Sequence, residues 1–299
     1  MGDLDAVMAE RRQLLGMAYR LLGSVADAED VVQETYARWY AQTPEHRAAI
    51  ESPGAWLTKV AGRVCLDQLG SARVRRERYV GEWVPEPVPA STDWITRPGP
   101  ADPADRVTLD ESINMAFLVV LDAMTPAERV AFILHDVFGY PFTDIADITG
   151  RTPAACRKLA SSARHRIRAG QPAPTPPAER AGIVRGFKEA WAAKDIAALV
   201  GLLDPDAIAV ADGGGLVNTL PRPIVGRDQI ARYAVEILKF APAMTIMEAT
   251  VNGQPGLVAQ VDGVTATVMA FEVADGLISR MWAVRNPEKL RLWTAGPVS

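Results

Sequence analysis

Residues 23–40 read GSVADAEDVVQETYARWY. Asp27, Glu29, Asp30, Gln33 and Glu34 crowd one side of this stretch, while Val32, Tyr36 and Trp39 recur on the other at three- and four-residue spacing. That pattern predicts an amphipathic helix with an acidic outer face. Working backwards, Leu14, Leu15, Ala18 and Leu22 mark an earlier helix, broken from this one by Gly23-Ser24. Working forwards, Thr43-Pro44 ends the acidic helix. A polar loop is expected up to Ser52-Pro53, where proline suits the first position of a new helix. That helix should turn Trp56, Leu57, Val60, Val64 and Leu69 inward and carry a basic end. Residues 1–79 thus read as an all-helical domain.

Residues 80–108 hold six prolines, which remove backbone donors and disfavour regular helix, so this stretch reads as a linker. Its tryptophans, Trp83 and Trp94, are unusual on a solvated tether and predict docking. Residues 109–170 return to helical patterning. Ile113, Phe117, Val120, Leu121 and Met124 form a stripe, and Thr125-Pro126-Ala127-Glu128 is a helix start with an N-cap, a proline at the first position and a glutamate at the third. Ile133, Leu134 and Val137 should extend that helix to Gly139. A short helix from Phe142 to Gly150 and a basic helix capped by Thr152-Pro153 then make a helix-turn-helix, whose second helix is placed to enter a major groove. After a second proline-rich linker, 171–178, residues 179–299 change character. Two helices and a short strand at Ala207–Ala211 are followed by a helix from Gln229 to Phe240. Four strands then run to Val284, joined by Asn252-Gly253, Asp262-Gly263 and Asp275-Gly276 turns. Helices first and an antiparallel meander last predict an α+β domain.

The charge is distributed to match. Net charge is -4, yet Arg151–Arg168 contains six basic residues and no acid, and Lys59–Arg78 contains six against Asp67 and Glu77. Two separated basic patches with an acidic linker between them predict two contacts with nucleic acid. Cys65 and Cys156 lie far apart without a CxxC motif, which fits a reduced, cytoplasmic protein. No apolar run is long enough to span a bilayer, and the first residues lack the layout of a signal peptide or of a myristoylation signal.

Three ordered segments carry a family resemblance: ADAEDVVQET, SPGAWLTKVAGRVCLDQLGSARVR, and TPAERVAFILHDVFGYPFTDIADITGRTPAACRKLASSARHRIR. Together they resemble the extracytoplasmic-function (ECF) group of RNA polymerase sigma factors. The first matches region 2, the second the helix that recognises the -10 element, and the third region 4, which recognises the -35 element. The resemblance implies that Asp27, Asp30, Gln33 and Glu34 meet the clamp helices of the polymerase β′ subunit. It also implies that the loop holding His46 and Arg47 captures a flipped -10 base, with Arg63 and Arg73 on phosphates. In region 4, Arg157, Lys158, Ser161 and Ser162 align with base-reading positions, and Arg164, Arg166 and Arg168 are candidate phosphate contacts. His165 reads as a surface residue. Leu159 stands where the family commonly has a basic residue.

The tail resembles a SnoaL-like cone, and three signatures point to the SigJ-like group that carries this fusion. They stand here as Trp83-Val84-Pro85-Glu86-Pro87, Asp212-Gly213-Gly214-Gly215-Leu216 and Asn286-Pro287-Glu288-Lys289-Leu290, with Leu216 in place of the family's lysine. The resemblance implies regulation in cis, the tail packing on linker and sigma domains so that no separate anti-sigma factor is required. The turn at Asp212 could present backbone N–H groups to Glu86. No cofactor is expected, and catalysis is not: the tail has no histidine and one tyrosine, Tyr233, while Asp204, Asp206 and Asp262 qualify as bases by residue type alone. The competing reading is a stand-alone helix-turn-helix regulator with a ligand-sensing tail, which leaves residues 1–79 without a role.

Overall fold

Gly23 ends the first helix in the left-handed region (φ 71°), donating its N–H to Tyr19 O at 2.7 Å, and Ser24 at once caps the next by accepting from Asp27 N–H at 3.2 Å. The computed structural model describes residues 10–77, 79–92, 111–170 and 175–294, with side chains described for all of these except 72–77 and 169–170. Within them the chain forms two compact units. One comprises residues 10–77, 111–113 and 117–170; the other comprises 79–92, 114–116 and 175–294.

The first unit is helical. Helices α1 (Arg11–Leu22), α2 (Val25–Tyr40), α3 (Pro44–Ala48) and α4 (Pro53–Glu77) enclose Leu14, Tyr19, Leu21, Ala28, Val31, Trp39, Leu57 and Cys65. Trp56 is half-buried, edge-on to Trp39 with ring centroids 5.1 Å apart. The stretch expected as a polar loop contains α3. Thr43 caps it by accepting from His46 N–H, and Pro44 and Glu45 fill its first turn, so capping chemistry builds a turn of helix that has no apolar stripe. Further on come α5 (Met115–Asp122), α6 (Pro126–Phe132), α7 (Phe142–Thr149) and α8 (Pro153–Gly170). Thr125 and Glu128 form a reciprocal capping box at the start of α6. The regular helix stops at Phe132, and Ile133–Val137 continues it as a wider π turn. Gly150 (φ 64°) closes α7, and Thr152 caps α8. The buried face of α8 is Cys156, Ala160, Ala163 and Ile167, mostly small residues that admit close helix approach.

The second unit is α+β, as expected for the tail. Helices α9 (Pro177–Ala192), α10 (Ile196–Leu202) and α11 (Arg227–Phe240) cover a six-stranded sheet in the order β2-β1-β6-β5-β4-β3. Strands β3 (Met244–Val251), β4 (Gln254–Val261), β5 (Val264–Ala274) and β6 (Leu277–Val284) form the predicted meander. Asn252, Asp262 and Asp275 have φ near 50°, each followed by a glycine of positive φ, the geometry whose twist suits a two-residue hairpin. Strand β1 (Leu203–Asp212) instead pairs parallel to β6, and the two-residue β2 (Ile224–Val225) pairs antiparallel to β1. Phe187, Trp191, Leu199, Ile230, Leu257, Met269, Phe271 and Ile278 are among the residues filling the space between helices and sheet. No helix of the described residues is long and apolar enough to cross a membrane.

Candidate functional site

Helix α2 buries Val25, Ala28, Val31, Val32, Thr35 and Trp39, leaving Glu29, Asp30, Gln33 and Glu34 exposed and Asp27 half-buried beside the cap. Asp30, Gln33 and Glu34 share one outward face. Arg38 meets Glu34 at 2.8 Å, both side chains about half exposed, a pair contributing little to stability. Tyr36 lies on the flank, its hydroxyl pushed up to about 12 by burial.

On α3, His46 is exposed and Arg47 is half-buried, its guanidinium 5.8 Å from the centre of the Tyr40 ring. On α4, Arg63 is exposed and donates to Asp147 O on α7 at 2.9 Å. Lys59 meets the Asp147 carboxylate at 2.6 Å and, through that hydrogen bond, holds its pKa below the usual range. Gly62 lies directly against Ile148. Tyr140 joins this seam through its hydroxyl, 2.9 Å from Thr58 and 2.8 Å from Gln13, and Arg129 donates to Leu21 O at 2.9 Å. The helices preceding and following the proline-rich stretch thus pack together within the first unit. The Arg73 side chain and Trp94 lie outside the described residues.

Along α8, Arg157, Lys158, Ser161, His165 and Arg168 are exposed. The Arg157 guanidinium stands 5.3 Å from the centre of the Phe142 ring, which also stacks on His135 at 3.9 Å. The remaining candidates on this helix bond within the unit. Arg164 pairs with the buried Asp136 at 2.7 Å. Ser162 donates to Glu128 at 3.1 Å, and Arg166 reaches the same carboxylate at 3.5 Å. Burial alone would raise Glu128, but hydrogen bonds from Thr125 and Ser162 and the Arg166 charge bring it below the usual carboxylate value.

The second unit holds a buried polar cluster around Asp212, at the end of β1. Asp212 is fully buried and accepts from the Lys289 ammonium at 2.7 Å, the Tyr79 hydroxyl at 2.6 Å, and the N–H groups of Val84 and Gly214 at 3.0 Å each. A buried carboxylate needs that many partners to offset its lost hydration. Lys289 also donates to Val84 O at 2.6 Å, with its ammonium 4.4 Å from the Trp83 ring centre and 5.0 Å from that of Tyr79. Asn286 donates to the Tyr79 oxygen at 2.9 Å and caps the short turn Pro287–Lys289 by accepting from Glu288 N–H. Burial, then the Asp212 hydrogen bond, raises the Tyr79 pKa far above that of a free phenol.

Beyond Val84 the proline-rich strand stays attached. Pro85, Glu86, Pro87 and Val88 are buried. Trp293 donates its indole N–H to Pro87 O at 2.8 Å, and Asn252 exchanges two hydrogen bonds with Val88 at 3.1 and 2.9 Å. Leu290 is buried, while Leu216 is 58% exposed. Gly214 and Gly215 take positive φ, and a Cβ on Gly215 would come within 2.8 Å of Val80 Cβ, so Gly213–Gly215 serves close approach as well as turning. The anion in this turn is Asp212 itself.

No sequence pattern assigns a role to Tyr79 or Trp293, and neither Lys289 nor Asn252 is legible there as a partner of the 79–88 segment. Lys289 stands inside a recognised signature, which is its only signal in the sequence. Asn252 was legible as a turn residue; its second use, capping Val88 across 164 positions, was not.

Comparison with known proteins follows the same division. The Sigma-70 region 2 family model matches residues 6–75, and the Sigma-70 region 4 model matches residues 114–167. The chain is 38% identical to the ECF RNA polymerase sigma factor SigJ of Mycobacterium tuberculosis, covering 96% of this chain and 93% of that one. It is 34% identical to the probable ECF sigma factor SigI of the same species, covering 94% and 92%. The crystal structure of Mycobacterium tuberculosis SigJ superposes over 99% of this chain and 100% of its own, with a TM-score of 0.73 at 33% identity.

Proposed function

The chain belongs to the ECF family of RNA polymerase sigma factors, and on that premise we propose how its parts divide the work. As a sigma factor it binds core polymerase and promoter DNA and directs promoter-specific initiation, without catalysis of its own. The outward face of α2, Asp30, Gln33 and Glu34 with Asp27 at its edge, takes the basic clamp helices of β′ by charge complementarity. His46 and Arg47 on α3 hold an unstacked base of the -10 strand, and Arg63 and Arg73 grip its phosphates. Arg157 and Lys158 read the -35 element in the major groove.

The tail regulates in cis. The observation that carries this part is the Asp212 cluster, which fastens residues 79–88 through Tyr79, Val84 and Trp83. A segment held this way restricts how the chain on either side of it can be placed, a task that a separate anti-sigma factor would otherwise perform. Run-off transcription with purified core polymerase and the full chain as the sole added factor should yield a promoter-specific transcript; none would refute the reading. Asp30→Lys with Glu34→Lys should weaken core binding about tenfold or more while leaving stability within about 0.5 kcal/mol, because both residues are exposed. Unchanged core affinity would remove α2 from the polymerase interface.

A further inference from the structure

The basic run of α8 divides by direction. On a helix of about 100° per residue, Lys158, Ser161 and His165 fall within about 60° of one another, while Arg164 lies about 120° from Lys158. The environments agree. Arg164, partly buried, pairs with Asp136, and Arg166, though about half exposed, reaches back to Glu128 at 3.5 Å, whereas Lys158, Ser161 and His165 point outward without such a partner acid among the described residues. His165 makes no hydrogen bond or ion pair among the described residues. Two of the three arginines assigned to phosphate by sequence are therefore bonded to acids of α6 and the π turn. The residue between them, read as a plain surface histidine, stands in the outward stripe.

We propose that His165 is a DNA phosphate contact of this helix, continuing the line of Lys158 and Ser161. The proposal rests on the reading of α8 as the recognition helix. From Lys158 to His165 the helix advances about 10 Å, and the major groove is about 12 Å wide. When Lys158 reaches a base edge, His165, about 20° from it around the helix, arrives at the groove wall, where phosphate oxygens accept from an imidazole N–H. The surroundings favour an anion: residues 151–168 contain no acid, so the exposed side of the stripe meets DNA without repulsion.

The test uses the full chain and two readouts: the motif selected from a randomised 30-base-pair duplex pool, and the salt dependence of affinity for a mixed-sequence duplex. His165→Ala should weaken binding about 3- to 10-fold on all duplexes and leave the selected motif unchanged. His165→Arg should restore affinity and steepen the salt slope by about one ion. Arg164→Ala should lower the melting temperature, because the buried Asp136 loses the Arg164 guanidinium at 2.7 Å, while leaving the salt slope as it is. Arg157→Ala should change the motif. If Arg157→Ala alters the motif but neither His165 variant shifts affinity or slope, the His165 contact is wrong and the recognition-helix reading stands. If Arg157→Ala and Lys158→Ala also leave binding and motif untouched, that reading fails and the His165 contact with it.

Discussion

Lys289→Ala is expected to lower the unfolding free energy of the linker–tail unit by about 3–5 kcal/mol, the cost of leaving one partner of a buried ion pair uncompensated. Asp212 is 0% and Lys289 8% exposed, so water cannot substitute for the missing ammonium. The change also removes the donor to Val84 O and the cation beside the Trp83 and Tyr79 rings. Lys289→Met keeps most of the packed stem and should lose nearly as much, which separates charge from volume. Asp212→Ala should be similarly costly. The double variant should be much less than additive, since removing both charges removes the uncompensated one. Hydrogen exchange supplies the local readout. The Val84 amide, held by Asp212, should lose protection before the Val88 amide, held by Asn252. A loss below about 1 kcal/mol with Val84 protection unchanged would mean the cluster is not what fastens the segment.

Much of this molecule is legible wherever a short pattern determines a short structure. The α2 stripe, the Thr125 capping box, the Gly150 stop and the three hairpin turns are each fixed within a few residues, and each stands as read. The departures share a different physics. Helix α3 has no apolar face, so periodicity passes over it, and only its Thr-Pro-Glu start betrays it. The π turn after Phe132 leaves the apolar pattern looking helical. The parallel pairing of β1 with β6 joins Leu203 to Ile278, a partnership no local pattern records. The α8 arginines show the limit most clearly. A count of charges finds the basic run, but which arginines face outward depends on Asp136 and Glu128, contributed by an earlier element. The Asp212 cluster is similar, its partners lying 77 and 133 positions away in sequence.

Gly62→Leu is expected to shift the first unit toward an open form and to raise the rate of promoter-specific initiation. On the reading proposed above, α4 serves the -10 element and the α7–α8 pair serves the -35 element. Those elements stand about 25 base pairs apart, on the order of 85 Å of duplex at about 3.4 Å per base pair. In this structure the same helices touch: Lys59 and Arg63 bond Asp147, and Gly62 lies against Ile148. No arrangement that keeps those contacts can reach both elements at once, so separation must precede reading. A Cβ on Gly62 would stand 3.1 Å from Ile148 Cδ1 and Cγ2, and a leucine there drives the seam apart. Overpacking of this kind costs about 1–3 kcal/mol, which favours the open form by roughly 5- to 150-fold. The helix itself gains propensity, so α4 survives the change. The opposite device occupies the same place. In Gly62→Cys with Ile148→Cys, the new Cβ lies 3.1 Å from the position of Ile148 Cγ2, an atom one bond from the Ile148 Cβ, which brings the two Cβ atoms to about the 3.5–4.5 Å that a disulfide requires. Native Cys65 and Cys156 are fully buried and do not compete. Oxidised, this pair should abolish promoter-specific run-off transcript, and reductant should restore it. If the bridged protein initiates as well as the reduced one, the packed arrangement is compatible with promoter reading and does not restrain the factor.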